Sequence, residues 1–212
     1  MMRRASAWGA CMLVAVLTAC SAIPDKPVRA TLYDFGPAPA ATPAPVAPAP
    51  LPALVLADIE VTGALDGSAV LYRLGYADEH QLRPYSQARW TAPPPQLIRQ
   101  RVRQRLALER PVLDLGESAA LARDGGAAPR VLRMGLEEFS HQFESQARSW
   151  GVLRLRATLL ENTPAGERLL AQRTFVVRQP APSPDAPGGV RALAAATDAL
   201  ADQLAQWMQG VR

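Results

Sequence analysis

The sequence is poor in three residue types that often carry chemistry in proteins. It contains two cysteines, Cys11 and Cys20, two histidines, His80 and His141, and a single lysine, Lys26. We expect Cys11 to be removed with an N-terminal export signal, and the one remaining thiol can form neither an internal disulfide nor a cysteine-ligated metal site. The basic character comes almost entirely from arginine and is modest once the signal is removed, so we predict no nucleic-acid partner.

Recognisable arrangements of catalytic or metal-binding residues are also missing. His80 follows Asp78 and Glu79, but three consecutive loop residues do not converge on one metal as helical ligands at i and i+4 do. Glu137 and Glu138 are adjacent on a predicted strand, where they would point to opposite faces and could not act as a paired acid and base. We therefore predict a protein without catalytic residues, metal or dissociable cofactor.

The first nineteen residues have the pattern of an export signal. Arg3 and Arg4 precede an apolar run from Ala10 to Ala19, which is too short for a helix that crosses a bilayer. Leu17, Thr18 and Ala19 then lead into Cys20, and this order resembles the lipobox of bacterial lipoproteins. The resemblance implies cleavage before Cys20, a diacylglycerol on its thiol and an N-acyl chain such as palmitate on its amine.

The lipid on Cys20 would hold the protein on a membrane, because each buried methylene contributes about 0.8 kcal/mol and three chains anchor almost permanently. The next residue is Ser21 and not aspartate. Under the lipoprotein sorting rules of enteric bacteria, this resemblance implies delivery to the outer membrane, with the protein lipid-anchored on its periplasmic face.

A proline-rich stretch divides the remaining chain. Seven prolines lie between Gly36 and Pro52, which predicts an extended polyproline II spacer that rises about 3.1 Å per residue. We therefore predict three parts: a signal at 1–19, a lipidated tether and spacer at 20–53, and a folded domain at 54–212. The short aromatic stretch from Thr31 to Gly36 could dock on that domain as an edge strand.

The hydrophobic periodicity of the domain predicts an α+β fold with a mainly antiparallel sheet and two helices packed on one face. Asp66-Gly67 predicts a turn that joins the first two strands as a hairpin, and Pro84 confines the third strand to an edge. The predicted strands cover residues 55–61, 70–76, 82–88, 132–139, 153–159 and 169–177. One helix begins at Pro93–Pro95, and the other follows a loop at Pro180–Gly189 and buries Leu193, Thr197, Leu200, Leu204, Trp207 and Val211.

Three features leave alternatives open. The arginines of the first helix, Arg99 to Arg105, form either a solvated face or a basic patch for anionic lipid or an acidic partner. Tyr72, Tyr85 and Trp90 belong either to the core or to a partner-binding surface, and we take them as the candidate partner contacts. The seam of the last helix packs on its own sheet or dimerises, which leaves a homo-oligomer open.

The order of several short motifs resembles the ABC-type transport auxiliary lipoprotein family, which includes the paraquat-inducible type-C lipoproteins and the auxiliary lipoproteins of Mce-type lipid transporters. The resemblance covers nearly all of the mature chain. It rests on Tyr33-Asp34-Phe35-Gly36-Pro37, Leu71-Tyr72-Arg73, Tyr85, Ala88-Arg89-Trp90, Pro93-Pro94, a helix near Leu97, Leu136-Glu137-Glu138-Phe139, a strand that contains Phe175 and an alanine-rich last helix.

This resemblance implies a non-catalytic role beside an inner-membrane ABC permease, its ATPase and a periplasm-spanning Mce-domain protein that conducts lipids or other hydrophobic compounds. The chain would be the outer-membrane docking element of that assembly. Two other hypotheses stay open: a periplasmic lipid-binding carrier with a pocket between sheet and helices, and a lipoprotein regulator of an envelope synthase.

Overall fold

The computed structural model describes residues 29–38, 51–61, 63–114, 116 and 128–211. Within these ranges the chain forms eight strands and two α-helices. They are β1 (Thr31–Tyr33), β2 (Leu54–Glu60), β3 (Ala69–Leu74), β4 (Leu82–Trp90), α1 (Pro94–Leu106), β5 (Val112–Leu113), β6 (Arg130–Phe143), β7 (Ser149–Thr163), β8 (Gly166–Pro180) and α2 (Ala186–Gln209).

The long strand β6 organises the sheet. One of its edges pairs with β7, which pairs with β8, and these three strands form the predicted antiparallel meander. The other edge of β6 pairs in parallel with β2 along its first half and with β3 at its end. Beyond β3 lie β4, antiparallel to it, and then β1, parallel to β4 at the sheet edge, while β5 lies outside β2.

The predicted hairpin between the first two strands is wrong. The segment between them forms a short 3-10 turn, Gly63–Asp66, and both β2 and β3 then run parallel to β6. With 14 residues, β6 is long enough to give each short strand its backbone partners in succession. The prediction for β4 fares better: Pro84 pairs with Leu71 on one side, and β1 reaches β4 only at Ala88–Trp90, so Pro84 lies where β4 has an open edge.

Both helices lie on one face of the sheet, which confirms the predicted α+β architecture. α2 packs across β6, β7 and β8, whereas α1 packs on β2 and against α2. The core between the layers contains fully buried aromatic and aliphatic side chains from every layer, among them Trp90, Phe139, Ile98, Leu132, Leu155, Leu193 and Leu200. The opposite face of the three long strands carries exposed arginines and glutamates, which is why the strands alternate so regularly in sequence.

Helix α2 begins earlier than predicted. Residues 180–189 were expected to form a loop, but the helix starts at Ala186, where the carboxylate of Asp185 accepts a hydrogen bond of 2.8 Å from the Gly188 amide. Pro187 occupies the first turn, where a missing N–H costs nothing. A proline and two glycines next to a proline-rich stretch conceal this helical turn in the sequence.

The glycines at the start of α2 permit a close approach to the sheet. A Cβ on Gly189 would lie 2.4 Å from Nδ1 of His141 on β6, and a Cβ on Gly151 of β7 would lie 2.5 Å from the Ala192 carbonyl carbon. Both positions therefore need glycine for space. Further along α2, the predicted seam is buried at Leu193, Thr197, Leu200 and Leu204, half-buried at Trp207, and ends before Val211, which lies outside the helix.

Candidate functional site: the N-terminal segment and the tyrosine cluster

The segment at residues 29–38, called here the N-terminal segment, is part of the folded unit. Its strand β1 aligns Thr31, Leu32 and Tyr33 with residues 88–90 of β4, and the Tyr33 carbonyl accepts a hydrogen bond of 2.8 Å from the Thr91 amide. Phe35 follows and places its ring edge-on to Trp90, with 5.4 Å between the ring centroids. The expectation of a docked edge strand is confirmed.

A buried arginine holds the end of this segment. Arg101 of α1 is 5 % exposed, and its guanidinium donates to three successive carbonyls, those of Phe35 (2.8 Å), Gly36 (2.8 Å) and Pro37 (3.2 Å). The planar fork of arginine suits several acceptors at once, which a lysine ammonium on a flexible stem matches poorly. Arg101 therefore binds the chain at the point where the proline-rich stretch begins.

The charge of Arg101 is balanced by Asp198 on α2. Asp198 Oδ1 lies 3.2 Å from Nη1 of Arg101, a distance that pairs the charges although the angle does not meet hydrogen-bond geometry. Burial raises the pKa of Asp198, and the positive charge of Arg101 opposes that rise. The N-terminal segment, α1 and α2 are thus joined at one partly buried ion pair.

This arrangement corrects the predicted tether at 20–53 and the predicted domain start at residue 54. The far end of the proline-rich stretch is also fixed on the domain, because the Leu51 amide donates to the Glu109 carbonyl at 3.0 Å. Most of that stretch, including residues 39–50, lies outside the described residues, so its conformation stays a prediction. Since both of its flanks bind the same domain, it connects β1 to β2 and does not set the distance between domain and membrane.

The remaining arginines of α1 are likewise engaged with neighbouring elements. Arg99 donates to the Leu56 carbonyl at 2.9 Å, where the pairing of β2 with β6 is interrupted, and Arg103 donates to the Val112 carbonyl of β5 at 3.0 Å. On the opposite flank, Arg105 bonds to Asp202 of α2 at 2.5 Å. Because residues four apart share a helix face, Arg99 and Arg103 serve the β2 side, and Arg101 and Arg105 the α2 side.

Neither alternative raised for these arginines is therefore correct. Asp114 receives hydrogen bonds from Arg99 and Arg103, and these bonds, the Arg99 one being the stronger influence, lower the pKa of its carboxyl group. A guanidinium that already binds a carboxylate and backbone carbonyls is not available to a lipid phosphate. The helix is an internal connector and not a solvated face or a basic patch.

The three candidate partner contacts differ in exposure. The rings of Tyr72 and Tyr85 lie 4.5 Å apart and both are half-buried, so each presents part of its surface to solvent. Trp90 is 2 % exposed and packs between Phe35 and Phe139 in the core. In this structure Trp90 supports the N-terminal segment from below and offers almost no surface for direct contact.

Tyr72 and Tyr85, called here the tyrosine cluster, adjoin a buried histidine. The hydroxyl of Tyr85 lies 2.8 Å from Nδ1 of His141, which is fully buried beneath the start of α2. Burial lowers the pKa of His141 to about 4, and burial together with nearby Tyr72 raises the pKa of Tyr85. Both side chains are therefore neutral at physiological pH. Their hydrogen bond positions the Tyr85 ring, and neither group readily gains or loses a proton there.

The two adjacent glutamates are arranged differently from the prediction. The pairing of β6 with β7 shifts register between Leu136 and Glu138. Glu137 contacts Arg154 at 3.0 Å, and Glu138 contacts Arg73 at 3.3 Å. The irregularity places both carboxylates on the face of the sheet away from the helices, and each is occupied by arginine. The expectation that they point to opposite faces is wrong.

Several predicted features lie outside the described residues. They include Leu17, Thr18, Ala19 and the lipid-attachment residue Cys20. None of the helices in the described ranges combines the length and apolar character that crossing a membrane requires. Among the same residues, no three histidine, cysteine, aspartate or glutamate side chains are grouped so that they could hold a metal ion.

The functional residue that sequence reasoning missed is Arg101. It is one of four arginines at alternate positions, and nothing in their spacing distinguishes a buried member from exposed ones. A helical projection offers a weak signal, because Arg101 lies one residue before the buried Val102 and three after the buried Ile98. Its acceptors are backbone carbonyls more than sixty residues away, which no local pattern reveals.

These features define a two-layer α+β domain that holds a short N-terminal segment. The chain belongs to the family of ABC-type transport auxiliary lipoprotein components, whose sequence model matches residues 33–205. The match begins inside β1, in agreement with a folded unit that includes the N-terminal segment. No curated protein matches the chain.

Solved structures share this fold. A protein from Xanthomonas campestris superposes with a TM-score of 0.68 at 22% sequence identity, covering 84% of this chain and 94% of that one. An uncharacterised protein gives 0.58 at 15% identity, covering 85% and 99%. A hypothetical protein from Chlamydia trachomatis gives 0.50 at 10% identity, covering 76% and 96%. At these identities the likeness shows the fold alone.

Proposed function

We propose that this chain is a non-catalytic docking component of an Mce-type transport system, lipid-anchored at Cys20 on the periplasmic face of the outer membrane. Membership in the auxiliary lipoprotein family carries the association with ABC-type transport. The partners in the proposal are an inner-membrane permease with its ATPase and a periplasmic Mce-domain protein. The cargo is a lipid or another hydrophobic compound.

The observation that best supports a mechanical role is the attachment of the N-terminal segment. A protein that links a membrane to a large assembly must transmit load from its anchor to its folded domain. Here the chain that leaves the lipid adds a strand to the sheet and is then held by the buried Arg101. Force on the anchor would act on strand pairing and on a partly buried ion pair, not on a loose terminus.

The tyrosine cluster is the proposed contact with the Mce-domain protein. Tyrosine is enriched at interfaces because it offers a large rigid ring with a polar end. The rings of Tyr72 and Tyr85 are in tilted contact and half-exposed, and the Tyr85 hydroxyl is hydrogen-bonded to His141. Trp90 contributes by supporting Phe35 and the neighbouring sheet, so its side chain acts through packing.

Two experiments test this function. Metabolic labelling with radioactive palmitate should mark the wild-type protein and leave Cys20→Ser unmarked. Co-purification from envelope detergent extracts should recover the Mce-domain protein with the wild type, and Tyr72→Ala should lose most of it while the domain stays folded. Leu169→Ala is the matched surface control, because Leu169 is 59 % exposed on the opposite edge of the sheet.

The outcomes separate the parts of the proposal. An unlabelled wild-type protein would refute the anchor. A labelled protein that recovers other envelope proteins and no Mce-domain protein would refute the transport assignment. Equal recovery with Tyr72→Ala and Leu169→Ala would remove the tyrosine cluster from the interface and leave the rest standing.

A further inference from the structure

The edge of the sheet formed by β1 exposes an apolar side chain close to the anchor. Leu32 is 65 % exposed, the most exposed large hydrophobic side chain in the described part of the chain. Only residues 21–30 separate Cys20 from β1. An apolar side chain at this place would meet a membrane surface before any more distant part of the domain does.

A surface groove of about 340 Å³ adjoins Leu32. It lies between the N-terminal segment and the first turns of α2. Its apolar lining comes from Leu32, Tyr33, Phe35, Val190 and Ala194, with Arg191 among the polar residues. A groove of mixed polar and apolar lining with a cation beside it matches the boundary of a phospholipid, where acyl chain and phosphate meet.

The charges near this edge favour an anionic surface. Arg29 is exposed just before β1, and Arg191 is exposed near the start of α2, where it lies 3.2 Å from the Ser183 hydroxyl and interacts with the charge of Asp185. Two carboxylates lie nearby, and each has a local partner: Asp34 accepts from the Gly36 amide and Asp185 caps α2. The two guanidinium groups are therefore able to meet lipid phosphates.

The reach of the tether also favours this edge. Ten extended residues span at most about 35 Å, whereas a domain of this size has a diameter of about 40 Å. The β8 edge lies five strand spacings from β1, or about 24 Å across the sheet. Because the tether leaves the domain at β1, presenting β8 to the membrane would use at least about two thirds of the full reach of the tether, whereas presenting β1 requires almost no extension.

We propose that the β1 edge docks on the bilayer that holds the lipid anchor, with Leu32 and the adjoining groove at the level of the headgroups and Arg29 and Arg191 on lipid phosphates. This inference rests on the proposed lipidation of Cys20. It fixes the orientation of the domain: the β1 edge faces the bilayer, and the β8 edge of the meander lies farthest from it across the sheet.

The absence of other thiols from the mature chain gives a direct test. With Cys20 acylated, Leu32→Cys introduces the sole free thiol, which takes a nitroxide label. The matched control is Leu169→Cys, equally exposed on the β8 side. The full lipidated protein is reconstituted into vesicles of phosphatidylethanolamine and phosphatidylglycerol, and collisions of each label with oxygen and with a polar nickel complex are measured.

We expect the label at position 32 to gain oxygen collisions and lose nickel collisions on reconstitution, while the label at position 169 stays aqueous. Arg29→Glu with Arg191→Glu should return the position-32 label toward the aqueous phase, as should vesicles of phosphatidylcholine alone. Each arginine contributes about fivefold to the equilibrium constant between the docked and undocked states. Arg168→Glu, on the β8 side, should have no effect.

Each other outcome overturns the proposal in a recognisable way. A protein that sediments with vesicles but keeps an aqueous label at position 32 is anchored and not docked by this edge. A label at 32 that is shielded from both reagents before vesicles are added indicates that the chain's own preceding residues, or a second copy, fill the groove. A protein that fails to sediment at all removes the anchor and the docking together.

Discussion

Helices α1 and α2 lie side by side on the same face of the sheet and have contrasting compositions. α1 reaches its neighbours with long side chains: Arg99 and Arg103 bind β2 and β5, while Arg101 and Arg105 bind the N-terminal segment and α2. α2 is rich in alanine and glycine and brings its backbone close to the sheet. The comparison shows two ways to fix a helix, one that bridges a gap with hydrogen bonds and one that removes the gap.

Close packing and arginine bridging differ in their sensitivity to substitution. Close approach depends on the absence of atoms, so a single added methyl group disturbs it. Arginine bridges depend on donors with several acceptors each, so the loss of one acceptor is tolerated better than the loss of the arginine. The N-terminal segment is attached by an arginine bridge, that of Arg101.

The largest effect should come from filling the gap beneath α2. Gly151→Ala places a methyl group 2.5 Å from the backbone of Ala192, and neither β7 nor α2 can move without disturbing the core. We expect a loss of about 3 kcal/mol in the free energy of unfolding, measured by urea denaturation. Gly135→Ala is the control, because its nearest atom would be Arg156 Nη2 at an ordinary 3.5 Å. Equal stability of the two variants would contradict close packing at Gly151.

A fall in pH should also weaken the close packing beneath α2, because His141 is buried there. The pKa of His141 is lowered from 6.5 to about 4 by burial under α2, so between these values the unfolded chain binds a proton that the folded chain does not. The stability is therefore full above pH 6.5 and is lost as the pH falls toward 4, by about 2 to 3 kcal/mol. Urea denaturation at pH 7 and pH 4.5 measures this loss, which should shrink in His141→Gln and persist in His80→Gln. A loss of the same size in both variants would exclude His141 as its source.

Removing the central bridge of α1 should have a somewhat smaller effect. Arg101→Ala deprives three carbonyls of their donor and leaves Asp198 without its cation, but water can reach the exposed Gly36 and Pro37. We expect a loss of about 2 kcal/mol and faster proteolysis of the N-terminal segment. Arg101→Lys should recover only part of the loss, and Gln104→Ala on the exposed side of α1 should change neither quantity. Unchanged proteolysis in Arg101→Ala would mean that strand pairing alone holds the segment.

The smallest effect should come from the uncovered face of the sheet. Glu137 contacts Arg154 at 3.0 Å and Arg156 at 3.6 Å, but all three side chains are substantially exposed. Glu137→Gln should therefore cost less than about 0.5 kcal/mol by urea denaturation, since solvent and salt screen such pairs. If Glu137→Gln lost as much free energy of unfolding as Arg101→Ala, partial burial would not strengthen the ion pairs of α1.

The sequence predicted elements better than their connections. The alternating apolar residues of β6, β7 and β8 and the seam at Leu193, Leu200 and Leu204 identify strands and helix correctly, because one buried face imposes a period on the sequence. The predicted hairpin between β2 and β3 was wrong, since both strands pair with β6, whose partner residues lie 69 to 76 positions later in the chain. The start of α2 was hidden because Pro187, Gly188 and Gly189 have roles there that a loop could equally explain.

The candidate site shows the same division. The motif from Tyr33 to Pro37 indicated a docked segment and a family, but the buried role of Arg101 followed from backbone carbonyls with no sequence signature. Tyr72 and Tyr85 were grouped together from the sequence, and their rings are in contact with 4.5 Å between the centroids. From its residue type alone, Trp90 could belong to an interface or to the core. Its position between Phe35 and Phe139 assigns it to the core.

By itself the sequence determined the α+β class, the two helical faces and the membership in a lipoprotein family. Hydrophobic periodicity and short motifs involve residues that are close together in the sequence, so they can be recognised without the fold. The tertiary structure alone decided that the proline-rich stretch returns to the domain, that four arginines bind inward, and that Glu137 and Glu138 share a face. Each of these depends on partners distant in sequence, whose hydrogen bonds and close approach exist only once the sheet and helices have assembled.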